Sequence, residues 1–386
     1  MRIAFFTETF VPHVDGVVTR LTHTVEELCR AGDDVLVVAP DAPGRPARYA
    51  GASVIGVPSV PLPLYPGFRL GAPLPTAPAR RALHAFAPDI VHTINPVLVG
   101  LGAYAYAARH GTPLVASYHA NIPAYARRYH LGVFEGLAWS YLRALHNRAH
   151  LNLCTSRPVQ ALLQARGVRH VALWEPGVDT ALFHPQQRSE SWRCRLTNGH
   201  PAATILLSVG RLAPEKGLAH LLAAVPHLPP GCHVAFVGDG PAAAALRHAA
   251  RGLPVTFLGT LFDEDLAAAY AAADIFVLPS TTETLGLVAI EAMAAGTPVV
   301  GARRGGILDI VVDGETGLFF DPDTPGDLAL RLTYLARRPA ERQRMGVAAR
   351  RRVADWNWTA VTAGLRRHYT RLLHGGSGHL PRPAHP

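Results

Sequence analysis

The sequence predicts an α/β protein made of two doubly wound domains, each a parallel sheet with helices on both faces. Short continuous runs of Val, Ile and Leu alternate with helical patterns, which is typical of parallel strands buried on both sides. The alternation restarts in the second half of the chain, after a polar, turn-rich stretch at 183–202. The length of 386 residues suits two or three domains.

The first half supplies four predicted strands and one well-marked helix. A strand at 2–7 is followed by a helix over 18–32, which we expect to end at Gly32 because glycine readily terminates helices. The later strands are predicted at 34–40, 89–95 and 113–119. We expect these elements to form a first domain over residues 1–185.

The second half repeats the pattern. Its strands are predicted at 204–210, 233–240, 255–260, 274–280 and 297–302. We expect a second domain over 186–355, a last helix within 356–374 and a disordered tail at 375–386. Two such domains facing each other would form a cleft at the carboxyl ends of their strands, where open α/β folds bind ligands.

Composition narrows the class of protein. The net charge of +9 favours anionic partners, yet no nucleic-acid recognition motif occurs. No uncharged apolar run reaches the ~18 residues of a membrane-spanning helix. The N-terminus lacks the form of a signal peptide, and the four cysteines are scattered, so we expect a cytoplasmic protein.

Glycine and cations follow two of the predicted strands. Gly16 ends the turn after the first strand, where the next helix would offer N–H groups to an anion, although an ordinary turn explains it equally well. After the strand at 204–210 come Arg211 and Lys216, which together could neutralise a diphosphate. Two solvated charges are the alternative, but Lys216 is the only lysine in an arginine-rich chain.

The stretch "TETLGLVAIEAMAAG" at 282–296 holds two glutamates eight residues apart. Glu283 precedes a predicted helix and can accept hydrogen bonds from sugar hydroxyls, whereas Glu291, about two turns into the helix, can hold a ribose diol. An unpaired acid in a buried helix would cost several kcal/mol, which argues against a purely structural role. A pyrophosphate would suit the amides at the helix N-terminus, those of Thr284, Leu285, Gly286 and Leu287.

These residues resemble glycosyltransferase family 4, and the similarity spans nearly the whole chain. Its E-x7-E element matches Glu283 and Glu291, and its "GRL…EKG" element matches Arg211 and Lys216. Further matches are "VGDGP" with Gly238 and Asp239, "PVV…GG" at 298–306 and "DGETGLFF" at 313–320. The resemblance implies the GT-B fold, with the final helix crossing back onto the N-terminal domain. It also implies a donor-side histidine at His119.

Within that family, segments of the first half look like the sulfoquinovosyl-diacylglycerol synthases. They include "FVPHVDGVVTRLTHTVEEL", "PLVASYHANIPAY" and "VALWEPGVDTALFHP". This similarity implies transfer of sulfoquinovose from UDP-sulfoquinovose to diacylglycerol. Lipid-directed mannosyltransferases and glucosyltransferases, which use GDP-mannose or UDP-glucose, share many of the same sequence segments. They stay open as alternatives.

The family resemblance implies retention of the α-configuration without a covalent enzyme intermediate. Arg211, Lys216 and the amides after Glu283 would stabilise the departing diphosphate, while His119 and Glu283 orient the sugar. We expect no cofactor and no metal, because side-chain cations replace it. Two DxD patterns occur, at 263–265 and 321–323, and we interpret them as a helix start and a turn.

The proposed substrates would need two further surfaces. Candidates to hold a sulfonate are His119 and, more weakly, Arg303 and Arg304. Aromatic and basic residues mix at 60–68 and 125–142, which fits a peripheral surface on an anionic membrane, although core packing is nearly as good an explanation. We expect a monomer or weak dimer on the cytoplasmic face.

Two other classes share parts of this pattern. A phosphorylase of the same fold needs a Schiff-base lysine for its cofactor, and the only lysine already belongs to "EKG". A catalytically silent sensor of sugar nucleotides would keep the same binding residues. Donor hydrolysis separates that sensor from an enzyme.

Overall fold

The computed structural model describes residues 1–62, 68–73, 75–121 and 135–375. The predicted tail lies outside these residues except for Gly375, and the predicted membrane segments lie partly outside them. The described chain divides into two compact units. Among the described residues, unit 1 comprises those up to Glu175 together with those from Trp358, and unit 2 comprises Pro176–Asn357.

Unit 1 is built on a mainly parallel sheet, in which the described residues form eight strands in the order β10-β9-β8-β7-β1-β2-β4-β3. Only the edge pair β3–β4 is antiparallel among these, and β5 and β6 form a separate hairpin. The strands are β1 (Arg2–Thr7), β2 (Asp34–Pro40), β3 (Arg48–Tyr49), β4 (Ala52–Val57), β5 (Ser59–Pro61), β6 (Arg69–Gly71), β7 (Ile90–Ile94), β8 (Leu114–Tyr118), β9 (Leu151–Cys154) and β10 (Val171–Leu173).

The described part of unit 2 has six parallel strands in the order β13-β12-β11-β14-β15-β16. The strands are β11 (Thr204–Val209), β12 (Cys232–Val237), β13 (Val255–Phe257), β14 (Ile275–Leu278), β15 (Val299–Ala302) and β16 (Gly317–Phe320). The chain order reverses between β11 and β14. Loops after two such strands lie side by side, and open α/β sheets bind ligands at this point.

Helices cover both sheets. Those of unit 1 before residue 176 are α1 (Gly16–Arg30), α2 (Ala77–Phe86), α3 (Val99–His110), α4 (Glu135–His146) and α5 (Arg157–Ala165). Those of unit 2 are α6 (Glu190–Leu196), α7 (Leu218–Ala224), α8 (Ala243–Ala249), α9 (Asp263–Ala272), α10 (Leu287–Ala294), α11 (Ile307–Ile310), α12 (Asp327–Ala336) and α13 (Pro339–Val353). No helix in the described ranges is both long and apolar enough to cross a bilayer.

The last helix, α14 (Trp358–His374), belongs to the core of unit 1. It packs on α1, and its Leu365 and Tyr369 are buried against the sheet. The Tyr369 hydroxyl hydrogen-bonds the imidazole Nδ1 of His92 on β7 at 2.6 Å. The helix therefore returns to the N-terminal unit, as the family resemblance implies.

The units divide at slightly different residues from the predicted domains. The first boundary lies at Pro176 instead of 186, because residues 176–185 pack with unit 2. Val178 and Phe183 are buried in its core, and the Val178 N–H donates to the Trp356 carbonyl at 2.7 Å.

The nine predicted strands all form, with ends within three residues of those predicted. The helix predicted over 18–32 runs over Gly16–Arg30 and is followed by Gly32 at φ 81°. Several strands were missed, including β4, β9, β10 and β16, because each is short or interrupted by glycine or polar residues.

Candidate functional site

Most of the predicted site residues lie at the switch point of unit 2, the place between β11 and β14 where the chain order of the sheet reverses. The loop after β11 carries Arg211 and Lys216, and the loop after the neighbouring β14 carries Glu283. A pocket opens here, and its lining includes Gly210, Arg211, Lys216 and Pro279. Parallel strand order therefore brings together residues separated by about 70 positions in the sequence.

Lys216 and Glu283 form an ion pair in this loop cluster. The Lys216 ammonium Nζ donates to Glu283 Oε1 at 2.7 Å, and the two side chains are only 26% and 12% exposed. Burial raises the pKa of Glu283, but the charge and hydrogen bond of Lys216, with a hydrogen bond from Ser280, bring it below its ordinary value. Glu283 is therefore an anion at neutral pH, held in one orientation by the only lysine.

Arg211 is held by a residue that the sequence analysis missed. Its guanidinium donates to the carboxylate of Glu215, whose side chain is 2% exposed. Glu215 lies in a single 3₁₀ turn, Pro214–Lys216, between the two cations. The spacing i, i+4 between Arg211 and Glu215 was a visible signal, because opposite charges at this spacing often pair.

Glycines of the "VGDGP" and "GG" motifs lie in close contact with the backbone of these charged loops. A Cβ on Gly238 would lie 2.0 Å from the Gly210 carbonyl oxygen, so only glycine lets the two loops approach. Likewise, a Cβ on Gly306 would lie 2.2 Å from the Thr284 carbonyl oxygen. The Gly306 N–H also donates to the Glu283 carbonyl at 2.8 Å. Both glycines thus shape the loops that carry Arg211 and Glu283.

Asp239, predicted to bind the donor, serves the same loop contact. Its carbonyl accepts the Leu212 N–H at 2.9 Å, and its side chain accepts the Gly240 N–H at 2.8 Å. The structure therefore gives it a clear role in shaping the β12–α8 connection. Its role in donor binding stays a prediction.

Helix α10 begins where the sequence predicted. Gly286 is its N-cap, in the left-handed conformation at φ 94°, and it has no side chain to cap the helix. Glu291 lies a little over one turn into the helix, not the two turns expected. It is 8% exposed, and its Oε2 accepts a hydrogen bond from the Tyr270 hydroxyl at 2.7 Å. Tyr270 was missed, since nothing in the sequence links α9 to α10.

The remaining charged candidates of unit 2 pair with surface acids. Arg303 donates to Asp313 at 2.5 Å, and Arg304 donates to Asp323. The acids at 263–265 form the first turn of α9, and Asp321 opens a turn by accepting the Asp323 N–H at 3.0 Å. The interpretation of both DxD patterns as local structure is thus confirmed.

His119 lies in unit 1, directly after β8. Its side chain is buried, its Nε2 hydrogen-bonds the Ser117 hydroxyl at 2.8 Å, and its ring meets that of Trp174 edge to face at 5.2 Å. Burial, then the charge of Arg20 and of His92, holds the pKa of His119 well below its ordinary value. It is therefore a neutral imidazole at physiological pH.

Arg20, which the sequence analysis missed, is a buried charge that lowers the pKa of His119. It lies on α1, is 2% exposed, and stacks on Trp174 at 4.4 Å. Its guanidinium donates to the carbonyls of Trp174 and Glu175. Burial lowers the pKa of Arg20 to about 9, so it stays a cation at pH 7 and adds to the field that keeps the imidazoles neutral.

Gly16 is the first residue of α1, also in unit 1. The expectation that this helix end offers its N–H groups to an anion is wrong for two of them. Asp15 Oδ1 accepts the N–H groups of Val17 and Val18, each at 2.8 Å. The sequence carried the signal, because aspartate before a helix is a preferred N-cap.

Glu8, a further missed residue, follows β1. Its carboxylate is 6% exposed and accepts the N–H groups at the start of α3 at 2.8–3.2 Å, those of Val97, Leu98, Val99 and Gly100. Burial raises the pKa of Glu8, and these four hydrogen bonds oppose that rise. The residue thus provides the anion for a helix N-terminus of its own unit.

Comparison with known proteins gives two consistent family matches. Residues 14–182 match the family described as Glycosyltransferase Family 4, and residues 198–352 match Glycosyl transferases group 1. The two matches follow each other along the chain, the first within unit 1 and the start of unit 2, and the second within unit 2.

Individual relatives agree. The chain is 38% identical to the sulfoquinovosyl transferase of Arabidopsis thaliana over 95% of this chain and 72% of that protein. It is also 38% identical to a GDP-mannose-dependent alpha-mannosyltransferase of Mycolicibacterium smegmatis, over 97% and 98% of the two chains. Among solved structures, sucrose-phosphate synthase from Thermosynechococcus elongatus matches with a TM-score of 0.80 and 26% identity, over 97% of this chain and 99% of that one.

Proposed function

Because the chain belongs to glycosyltransferase family 4 and has its GT-B fold, we propose that it transfers sulfoquinovose from UDP-sulfoquinovose to diacylglycerol. That it is a retaining hexosyltransferase follows from the family. The observation that carries the proposed chemistry is the cluster at the switch point, where Arg211 and Lys216 lie on one loop and Glu283 on the next. The identity with the sulfoquinovosyl transferase and the matching segments of the first half support the choice of sugar and lipid.

The cations stabilise the leaving group. As the bond from the sugar to the diphosphate breaks, negative charge grows on the phosphate oxygens, and fixed cations nearby lower the barrier. Arg211 and Lys216 are preorganised for this role, because Glu215 and Glu283 already hold them in place. The amides at the start of α10 add donors to the same anion. No metal ion is needed in this scheme.

The acids and the imidazole orient the sugars. Glu283 accepts hydrogen bonds from hydroxyls of the transferred sugar, and neutral His119 can donate to or accept from another hydroxyl. Glu291 holds the ribose diol. A diphosphate oxygen takes the proton of the incoming lipid hydroxyl as the sugar–phosphate bond breaks. The products are then the glycolipid and the protonated nucleoside diphosphate.

The lipid acceptor calls for contact with a membrane. A net charge of +9 supports peripheral binding to an anionic surface on the cytoplasmic side. Cosedimentation with vesicles of phosphatidylcholine, with and without phosphatidylglycerol, tests this: binding should require the anionic lipid and fall as salt increases. Equal binding to neutral vesicles would contradict it.

One assay tests the function. The purified protein is offered UDP-sulfoquinovose, UDP-glucose or GDP-mannose with diacylglycerol micelles, and glycolipid products are identified by mass spectrometry. We expect a product from UDP-sulfoquinovose. A product from GDP-mannose alone would overturn the sulfolipid assignment in favour of the mannosyltransferase alternative, which the full-length similarity to mannosyltransferases supports. Nucleotide binding with neither transfer nor donor hydrolysis would point to a sensor.

A further inference from the structure

We propose that Tyr270 is a positioning residue for nucleotide recognition: its hydroxyl fixes the Glu291 carboxylate in the orientation that accepts the ribose diol. The inference rests on the proposed function, in which Glu291 holds the ribose. It adds a residue from a different helix, whose contact with the donor is indirect.

Tyr270 is immobilised in the core of unit 2. Its side chain is fully buried, and its ring lies 5.6 Å from the rings of both Phe183 and Phe276. The Thr297 hydroxyl donates to the Tyr270 carbonyl at 2.8 Å and fixes the backbone at the same residue. The phenol oxygen therefore occupies a defined position relative to α10.

The contact with Glu291 is of a strong type. A 2.7 Å hydrogen bond from a hydroxyl to a carboxylate is charge-assisted, and such bonds are stronger than those between neutral groups. Burial and the neighbouring carboxylate raise the pKa of Tyr270 well above its ordinary value, so the hydroxyl stays a donor at any working pH. The bond removes the rotation of the carboxylate about its last side-chain torsion.

A fixed carboxylate suits a vicinal diol. An ionised carboxylate has about four acceptor positions, so a hydrogen bond from Tyr270 to one oxygen is compatible with hydroxyl donors at others. A carboxylate that rotates freely loses entropy when a diol binds, and it forms shorter-lived hydrogen bonds. Tyr270 should therefore tighten binding of ribose more than binding of a deoxyribose, which offers fewer donors.

Calorimetry with UDP and 2′-deoxy-UDP tests this, with GDP and its 2′-deoxy analogue in parallel. We expect the wild type to bind the ribonucleotide about 10–100-fold more tightly. Tyr270→Phe should weaken ribonucleotide binding about 10-fold while changing deoxynucleotide affinity less than about 3-fold. Its KM for the donor sugar should increase, and its kcat should stay within about 3-fold, because Tyr270 does not touch the transferred sugar.

Two variants separate this from a loss of packing. Thr297→Val removes a buried hydrogen bond to Tyr270 but keeps its hydroxyl, so it should preserve the ribose preference. Glu291→Asp withdraws the carboxylate by one methylene and leaves Tyr270 intact, so it should lose the preference as Tyr270→Phe does. This second variant tests the position of the Glu291 carboxylate and not the hydroxyl of Tyr270.

The outcomes distinguish the positioning role of Tyr270 from the binding of ribose by Glu291. If Glu291→Gln abolishes the ribose preference and Tyr270→Phe retains it, Tyr270 has no positioning role but Glu291 still binds ribose. If Glu291→Gln itself retains the preference, the assignment of Glu291 to the ribose fails. A ribose preference lost equally in Thr297→Val would overturn the specific role of the hydroxyl.

Discussion

The two units have the same reversal of strand order, but they differ in what lies at the N-terminus of the helix beside it. In both, the chain order reverses beside the first strand, and a helix starts at that point: α3 in unit 1 and α10 in unit 2. Glu8 supplies unit 1 with its own anion, bonded to the first N–H groups of α3. Gly286 leaves α10 without a side-chain cap. One helix end is bonded to a carboxylate of its own unit, whereas the other is the one that we propose binds the diphosphate of the donor.

The charges around the two positions differ accordingly. Unit 2 holds the cations of its site in largely buried ion pairs, as with Lys216 and Glu283. Unit 1 buries neutral imidazoles and the cation of Arg20, which donates to backbone carbonyls. The unit 2 site therefore contains paired opposite charges, whereas the unit 1 cluster combines neutral imidazoles with a cation that is bonded to carbonyls.

Replacing Lys216 should have the largest effect on the function of unit 2. We expect Lys216→Ala to lower kcat about 10²–10³-fold, because it removes one of the two cations that meet the leaving diphosphate. Initial rates at saturating donor measure this. Arg251→Ala, which removes an exposed arginine of the same unit, is the matched control. A variant of Lys216 that keeps its rate within threefold would refute the diphosphate role.

Removing the internal anion should affect stability in unit 1. We expect Glu8→Ala to lower the free energy of unfolding by about 3 kcal/mol, because four N–H groups at the start of α3 lose their buried acceptor. Urea denaturation measures the change, and Glu8→Gln should lose less because its carbonyl still accepts. Stability unchanged in Glu8→Ala would show that water replaces the carboxylate and would weaken the contrast between the units.

The glycine contact behind the α10 loop offers a finer test. Gly306→Ala places a methyl 2.2 Å from the Thr284 carbonyl oxygen, so the loop must shift. We expect a loss of about 1–3 kcal/mol in unfolding free energy and a higher KM for the donor. Gly136→Ala, at a helical position with no atom within 4 Å, is the control and should be neutral or slightly stabilising. Unchanged kinetics in Gly306→Ala would separate this loop from donor binding.

The buried imidazoles make unit 1 sensitive to acid. Burial and the charge of Arg20 lower the pKa of His92 from 6.5 to about 3, so His92 takes up a proton on unfolding anywhere between these values. Stability is therefore lost as pH falls from about 6.5 towards 3, by about 2 kcal/mol at pH 5 for this residue alone. His146, with its pKa lowered to about 4 by burial, adds to the slope.

A double variant measures how much of this pH-dependent loss of stability comes from His92. In His92→Phe/Tyr369→Phe both polar partners are replaced, so neither is left unpaired. Its unfolding free energy should fall by about 2 kcal/mol less between pH 7 and pH 5 than that of the wild type. His227→Ala, at an exposed position, should keep the wild-type slope. An unchanged slope in the double variant would mean that His92 is already charged in the folded protein.

Sequence reasoning served unit 2 better for physical reasons. The parallel strands, the loops after β11 and β14, and the clustering of Arg211, Lys216 and Glu283 could be predicted, because parallel strands place their following loops at one edge. The partners Glu215 and Tyr270 were missed. Glu215 had a local signal in its spacing from Arg211, but Tyr270 reaches Glu291 only through the packing of two helices.

The network of unit 1 was harder to predict. His92 and Tyr369 are 277 residues apart, and the contact between Arg20 and Trp174 spans 154. No periodicity or motif links such positions in a single sequence. At Gly16 the sequence analysis left an anion site and an ordinary turn equally open, because Asp15, one residue earlier, was not recognised as the helix cap that accepts two of the N–H groups.

The return of α14 has a consequence for synthesis on the ribosome. The described part of unit 2 is the single segment Pro176–Asn357, so the contacts within it are available once residue 357 has emerged. Unit 1 is translated first, but it must wait for Leu365 and Tyr369 to close its core. Until then the face of α1 that α14 covers in the folded protein stays uncovered on the nascent chain. The half that is made first is thus the last to reach its native state.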